Sequence, residues 1–187
     1  MNINFISLAA VLLLVFSNGA SAQKKPVEKA LQRGLPLIVL PPSLAPFSAP
    51  IDCNATGTGC AVSIVILEGP INGVDACVAN LPSEVRVHGT SSTAAERLMV
   101  WTLKLPVGTT ATYKFQPKHG ILVVDDPKGQ LKQGAIGDGL GGTDPTQYHW
   151  VNRRRQRGEA TYLPIILREV GGVVSLCGAA DPKVVND

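Results

Sequence analysis

The chain has 187 residues, of which 45% are hydrophobic and 17% are charged, and its formal net charge is +3 at pH 7. This length suits one domain with a substantial core. The positive charge is far smaller than that of a dedicated nucleic-acid-binding protein, so we expect no nucleic-acid partner.

The first 22 residues have the pattern of a secretory signal peptide. An apolar run extends from Phe5 to Phe16, and the small-x-small sequence Ala20-Ser21-Ala22 follows it. This order is typical of a signal peptide, although no Lys or Arg precedes the run. The run is also shorter than the roughly 20 apolar residues that a membrane-spanning helix needs. We therefore predict cleavage after Ala22, export to the periplasm or beyond, and no transmembrane segment in the mature chain.

Residues 23–51 form a second segment, which is basic at its start and then rich in proline. The proline-rich part contains Pro36, Pro41, Pro42, Pro46 and Pro50. Proline at this density removes backbone donors and favours an extended conformation. We predict a tail here and place the folded domain at residues 52–187.

Eight short runs of alternating or β-branched residues follow, separated by Gly, Pro and Asp turns. They cover residues 61–67, 84–88, 97–103, 111–115, 121–124, 147–151, 160–168 and 173–177. This pattern predicts an all-β fold, a single antiparallel β-sandwich of about eight strands. We expect Trp101 and Trp150 in its core. Pro164 is predicted at an edge or bulge, and Gln133 to Thr143 as one long surface loop.

Four cysteines, an even number in an exported chain, predict two disulfides. They are Cys53, Cys60, Cys77 and Cys177. Three connectivities are possible, and the sequence alone does not choose among them. The flexible turn between the first two cysteines favours Cys53–Cys60 together with Cys77–Cys177.

The strongest local charge comes from four arginines, Arg153, Arg154, Arg155 and Arg157, which are followed by Gly158. They fit the tip of a hairpin, and we expect all four to project into solvent because an unpaired buried guanidinium is costly. Arginine forks suit phosphate and carboxylate groups. The candidate role is anion binding, with an anionic envelope component or an acidic protein as partner. The alternative is a solubilising loop that blocks edge pairing.

No pattern predicts a catalytic residue, a metal site or a cofactor. Gly137 to Gly142 matches the G-x-G-x-x-G string, but Pro145 stands where the required helix would begin. The histidines have no metal-ligand spacing, and we expect them to be separate surface or edge residues. They are His88, His119 and His149.

Core aromatics and strand ends provide a resemblance. The segments that carry it are Val100–Leu103, Tyr113–Phe115, Tyr148–Asn152 and Cys177–Asn186. Together they resemble a loose group of small exported bacterial proteins with one cupredoxin-like or immunoglobulin-like β-sandwich, most of them functionally uncharacterised. The resemblance implies fold and export rather than an activity. It implies no copper site either, because neither His nor Met follows Cys177 as a blue-copper centre requires.

These observations predict a non-enzymatic structural or binding module of the bacterial envelope or secretome. Two alternatives stay open at this stage. One is a hydrolase or metal-dependent enzyme whose site assembles from loops, and the other is a degenerate cupredoxin-type metal carrier.

Overall fold

A computed structural model describes residues 47–53, 59–71, 74–179 and 182–187. Within these ranges the chain forms fourteen β-strands and no helix, and so has no helix that could cross a membrane. The strands are β1 (Phe47–Ser48), β2 (Ile51–Cys53), β3 (Gly59–Ile71), β4 (Val74–Pro82), β5 (Glu84–Val87), β6 (Arg97–Lys104), β7 (Thr112–Phe115), β8 (Ile121–Asp125), β9 (Leu131–Ile136), β10 (Gln147–Asn152), β11 (Gly158–Pro164), β12 (Ile166–Val170), β13 (Val173–Leu176) and β14 (Lys183–Asn186).

The predicted signal peptide and most of the predicted tail lie outside the described residues. The last part of the tail, from Phe47 to Ile51, forms β1 and begins β2. Each of these strands pairs with a strand of the predicted domain, β1 with β4 and β2 with β5.

The described strands form three sheets. A six-stranded sheet has the order β1-β4-β3-β6-β10-β9, a five-stranded sheet the order β2-β5-β14-β11-β8, and a three-stranded sheet the order β13-β12-β7. The all-β prediction is therefore confirmed. The prediction of a single antiparallel sandwich of about eight strands is wrong, because four pairs (β1–β4, β3–β6, β2–β5 and β5–β14) are parallel. Alternation indicates that a strand exists, but it does not indicate the direction of its neighbour.

The two larger sheets face each other across an aromatic core. Trp101 on β6 is fully buried and packs edge-to-face against Trp150 on β10, with ring centroids 6.0 Å apart. It also meets Tyr162 on β11 of the opposite sheet, with centroids 5.5 Å apart. The prediction that both tryptophans lie in the core is confirmed. These rings hold the sheets together because large aromatics bury the most apolar area.

Two disulfides add covalent links at the two sides of this core. Cys53 at the end of β2 is bonded to Cys60 on β3, which joins the five-stranded to the six-stranded sheet. Cys77 on β4 is bonded to Cys177, which directly follows β13. These are the two pairs that the spacing favoured, and all four side chains are buried. Two disulfides indicate an oxidising compartment such as the extracellular environment.

One predicted strand, residues 160–168, is divided between two sheets. β11 ends at Pro164 in the five-stranded sheet, and β12 begins at Ile166 in the three-stranded sheet. The amide of Ile165, between them, donates to the carbonyl of Gly120 at 2.8 Å. Pro164 thus lies at the end of an interior strand rather than at a sheet edge. It has no amide hydrogen with which to continue the ladder, so the chain changes sheet there.

The prediction of one long loop from Gln133 to Thr143 is wrong for residues 133–136, while residues 137–143 lie outside any strand. β9 occupies residues 131–136 and pairs with β10. A Cβ atom at Gly134 would lie 1.4 Å from the carbonyl oxygen of His149 and 2.2 Å from Cδ1 of Trp150. Gly134 made residues 133–143 resemble a loop in the sequence, but its missing side chain is what lets β9 approach β10.

Replacing Gly134 with Ala should destabilise the protein strongly. The new methyl group would overlap the β10 backbone, and overpacking of this kind costs about 1–3 kcal/mol or more. Gly69→Ala is the matched control, since Gly69 also lies in a strand and nothing comes within 4 Å of its would-be Cβ. Urea unfolding with the disulfides intact measures both variants. Equal effects would show that β9 does not approach β10 as described.

Candidate functional site

The four predicted site arginines lie in the connection between β10 and β11, which we call the arginine loop (residues 153–157). β10 belongs to the six-stranded sheet and β11 to the five-stranded sheet. The two strands do not pair, so the predicted hairpin is wrong, and the loop instead crosses between sheets. A second connection, the crossing turn (residues 126–130), runs from β8 in the five-stranded sheet to β9 in the six-stranded sheet.

Gln130 holds these two crossings side by side. The side chain of Gln130 is buried, and its Oε1 accepts hydrogen bonds from the amides of Arg155 at 2.7 Å and Gln156 at 3.0 Å. Its carbonyl oxygen accepts from the amide of Arg153 at 2.8 Å. One residue therefore satisfies three backbone donors of the arginine loop, which gives the loop a defined conformation.

Arg154 does not project into solvent as predicted. Its side chain is buried, and its backbone has a positive φ of 52°. Nε and Nη2 donate to the carbonyl of Ala95 at 3.0 and 2.7 Å, and Nη1 donates to the carbonyl of His88 at 3.0 Å. The guanidinium can be buried because each of its three nitrogens donates to a main-chain carbonyl, so that a buried arginine does not need a carboxylate partner. Arg153, Arg155 and Arg157 are exposed, as predicted.

A layer of buried polar groups lies beneath the loop. Asn152 and Asn186 form a reciprocal amide pair between β10 and β14, and Asn152 Oδ1 also accepts from the amide of Arg154 at 2.9 Å. Arg97, opposite Asn152 in the β6–β10 register, is fully buried. Its Nη1 donates to the carbonyl of Cys53 at 2.8 Å, but its Nε and Nη2 have no partner among the described residues. Burial, and then the charge of Arg154, lower the pKa of Arg97.

Arg153 and Arg155 line a pocket of about 250 Å³ together with Lys132 and Glu96. Lys132 comes from β9 and forms an ion pair with Glu96, which precedes β6. Three cationic groups thus surround one carboxylate. The hydrogen bond from Lys132 lowers the pKa of Glu96, and the charges of Arg153 and Arg155 lower it further. Because arginine and lysine donors remain after Glu96 is paired, the pocket suits an anion.

The three histidines considered in the sequence analysis do not line this pocket. His88 lies between the carboxylates of Asp52 and Asp187, at 3.3 Å from each, and His149 Nδ1 lies 3.3 Å from the carbonyl oxygen of Gly137. His119 is in the turn before β8. In the described ranges, no three His, Cys, Asp or Glu side chains are grouped so that they could hold a metal.

Sequence reasoning missed Glu96, Lys132 and Gln130. No motif links these three residues to the arginines. Glu96 and Gln130 belong to two other connections, and Lys132 belongs to β9, a strand that the sequence pattern did not predict. No known protein-family model and no curated protein matches the chain. The resemblance to small exported bacterial proteins therefore stays a prediction.

Replacing Arg154 with Ala should lower the free energy of unfolding by about 2–3 kcal/mol, because hydrogen bonds made by a charged donor are lost in a buried place. Relief of the repulsion with Arg97 offsets part of this loss. Arg153→Ala is the control from the same loop, and its effect should stay within about 0.5 kcal/mol because the side chain is exposed. Urea unfolding compares the two variants. If both cost the same, Arg154 is not the anchor of the loop.

Proposed function

We propose that this chain is an exported, non-enzymatic binding module of the bacterial envelope or secretome, and that it captures its ligand through an anionic group. The observation that carries the proposal is the convergence of Arg153, Arg155 and Lys132 on one pocket that contains a single carboxylate. Planar guanidinium groups bind phosphate through paired hydrogen bonds, and an ammonium adds a point charge. Phosphate is therefore the anion that we assign to the pocket.

The order of the loop supports this assignment. Gln130 and Arg154 hold the loop backbone through hydrogen bonds that do not depend on a ligand. A ligand that meets a preorganised site has less conformational entropy to remove on binding. The pocket arginines can therefore serve binding, since other residues fix the loop.

The buried charges of Arg97 and Arg154, which neighbour pocket residues in the chain, support it as well. Neither Arg97 nor Arg154 has a carboxylate partner among the described residues. Charges in a low-dielectric interior are screened less than charges at the surface. An anion bound next to them offsets their repulsion and thereby stabilises the folded state.

Export and family membership are parts of the same proposal. The apolar run before Ala22, the two disulfides and the two facing sheets support an exported protein of the cupredoxin-like or immunoglobulin-like sandwich type. The periplasm or the extracellular medium is the proposed location.

Inorganic phosphate should bind the mature protein and stabilise it. At a phosphate concentration 100 times the Kd, the free energy of unfolding should rise by about 2.7 kcal/mol. The double variant Arg153→Ser/Arg155→Ser should lose this stabilisation. Calorimetric titration and thermal unfolding at constant ionic strength measure both effects.

The matched control is Lys104→Ser/Lys118→Ser, which removes the same charge elsewhere. Lys104 is the last residue of β6, whereas Arg97 is the first, and Lys118 lies in the turn before β8. Both lysines are exposed. This variant should bind phosphate like the wild type. If both double variants lose phosphate binding equally, the net charge of the protein causes the binding, and the pocket proposal is wrong.

A further inference from the structure

We infer that the ligand is a linear chain of phosphate groups rather than a single phosphate. This inference rests on the proposed function, because it extends the same pocket. The observation behind it is a second pair of cations, Lys128 and Arg157, which lie on the crossing turn and on the arginine loop that Gln130 joins. We call Lys128 and Arg157 the flanking pair.

The fold brings Lys128 next to the end of the arginine loop, where Arg157 lies. Lys128 is in the crossing turn, and its carbonyl oxygen accepts from Nε2 of Gln130 at 2.7 Å. A Cβ atom at Gly158, the residue after Arg157, would lie 3.4 Å from Cγ of Lys128. The hydrogen bonds of Gln130 that shape the pocket thus also place Lys128 beside the end of the arginine loop.

The flanking pair is available to a ligand. Both side chains are exposed, and neither takes part in any ion pair of the described residues. Three carboxylates lie close to the pair in the chain, Asp125, Asp126 and Glu159; Asp126 Oδ2 accepts from the amide of Leu131 at 2.8 Å, and Glu159 pairs with Lys183 at 2.8 Å. Lys128 and Arg157 thus add two positive charges to the two crossings, and no carboxylate of the described residues forms an ion pair with either.

A single phosphate can neutralise the pocket but leaves the flanking pair solvated. A chain of phosphates neutralises both sites at once and releases the counterions of each, which makes binding fall steeply as salt rises. A nucleic acid fits less well, because single-strand binding relies on exposed aromatic side chains for stacking. The aromatics nearest to the loop, Tyr148 and Trp150, are buried.

The experiment compares orthophosphate with long-chain inorganic polyphosphate on three proteins at constant ionic strength. These are the wild type, the flanking variant Lys128→Ser/Arg157→Ser, and the control Lys104→Ser/Lys118→Ser. We expect the flanking variant to bind orthophosphate within about twofold of the wild type and polyphosphate about tenfold more weakly, as two exposed ion pairs allow. When the titration is repeated at several salt concentrations, the affinity of the flanking variant for polyphosphate should also depend less on salt. The control should match the wild type for both ligands.

Several results would overturn the inference, and they are separable from failure of the proposed function. If the flanking variant binds polyphosphate as tightly as the wild type and still binds orthophosphate, the site takes a single anion and the inference is wrong. Tighter binding to a single-stranded oligonucleotide than to polyphosphate would indicate a nucleic-acid partner. Binding to phosphatidylglycerol vesicles but not to polyphosphate would indicate a membrane surface. If the wild type binds neither orthophosphate nor polyphosphate, the proposed function itself fails.

Discussion

The buried guanidinium of Arg154 is the constraint on which the presentation of the whole arginine loop depends. It anchors the loop to the carbonyls of Ala95 and His88, two residues of the connection that leads into β6. Because this one arginine turns inward, its neighbours on either side, Arg153 and Arg155, are directed to the pocket surface. A loop of four equivalent solvated arginines would repel itself and sample many conformations. The anchored loop instead fixes the backbone from which Arg153 and Arg155 extend, and a preorganised backbone lowers the entropy that anion binding would cost.

The surrounding fold explains how such a charge can be buried. The aromatic core around Trp101 holds the two large sheets together, and at one end of that core the chain crosses between them in the arginine loop, in the crossing turn and in the connection from β5 to β6. The polar side chains that are buried within the described ranges gather at this end, where crossing backbone offers carbonyls that no sheet ladder uses. They are Arg97, Gln130, Asn152, Arg154 and Asn186. Each polar group that is buried needs a partner, and two nitrogens of Arg97 have none among the described residues, which leaves an electrostatic cost that the proposed anion would reduce.

The sequence predicted most strands of the core but not the assembly of the site. Strict alternation in Glu84–Val87 and Arg97–Lys104 marks one buried face, so these strands were found close to their observed ends. β9 escaped because Gly134 reads as a loop residue, although its missing side chain is what permits the close approach to β10. The four arginines look alike in the sequence, and what distinguishes Arg154 is a pair of carbonyls 59 and 66 residues away. Contacts over such separations leave no local signal in the sequence, and neither do the hydrogen bonds between Gln130 and the arginine loop.

The most direct test of this account is a ¹H–¹⁵N NMR measurement of the arginine Nε–H groups while inorganic phosphate is added. The account predicts that Arg154 Nε–H is protected from solvent exchange before any ligand is present, because it is buried and bonded to the Ala95 carbonyl. On addition of phosphate, the Arg153 and Arg155 signals should shift together and saturate. Exchange of Arg154 Nε–H as fast as that of the exposed Arg157, or shifts that never saturate, would contradict an anchored loop that presents a built anion site.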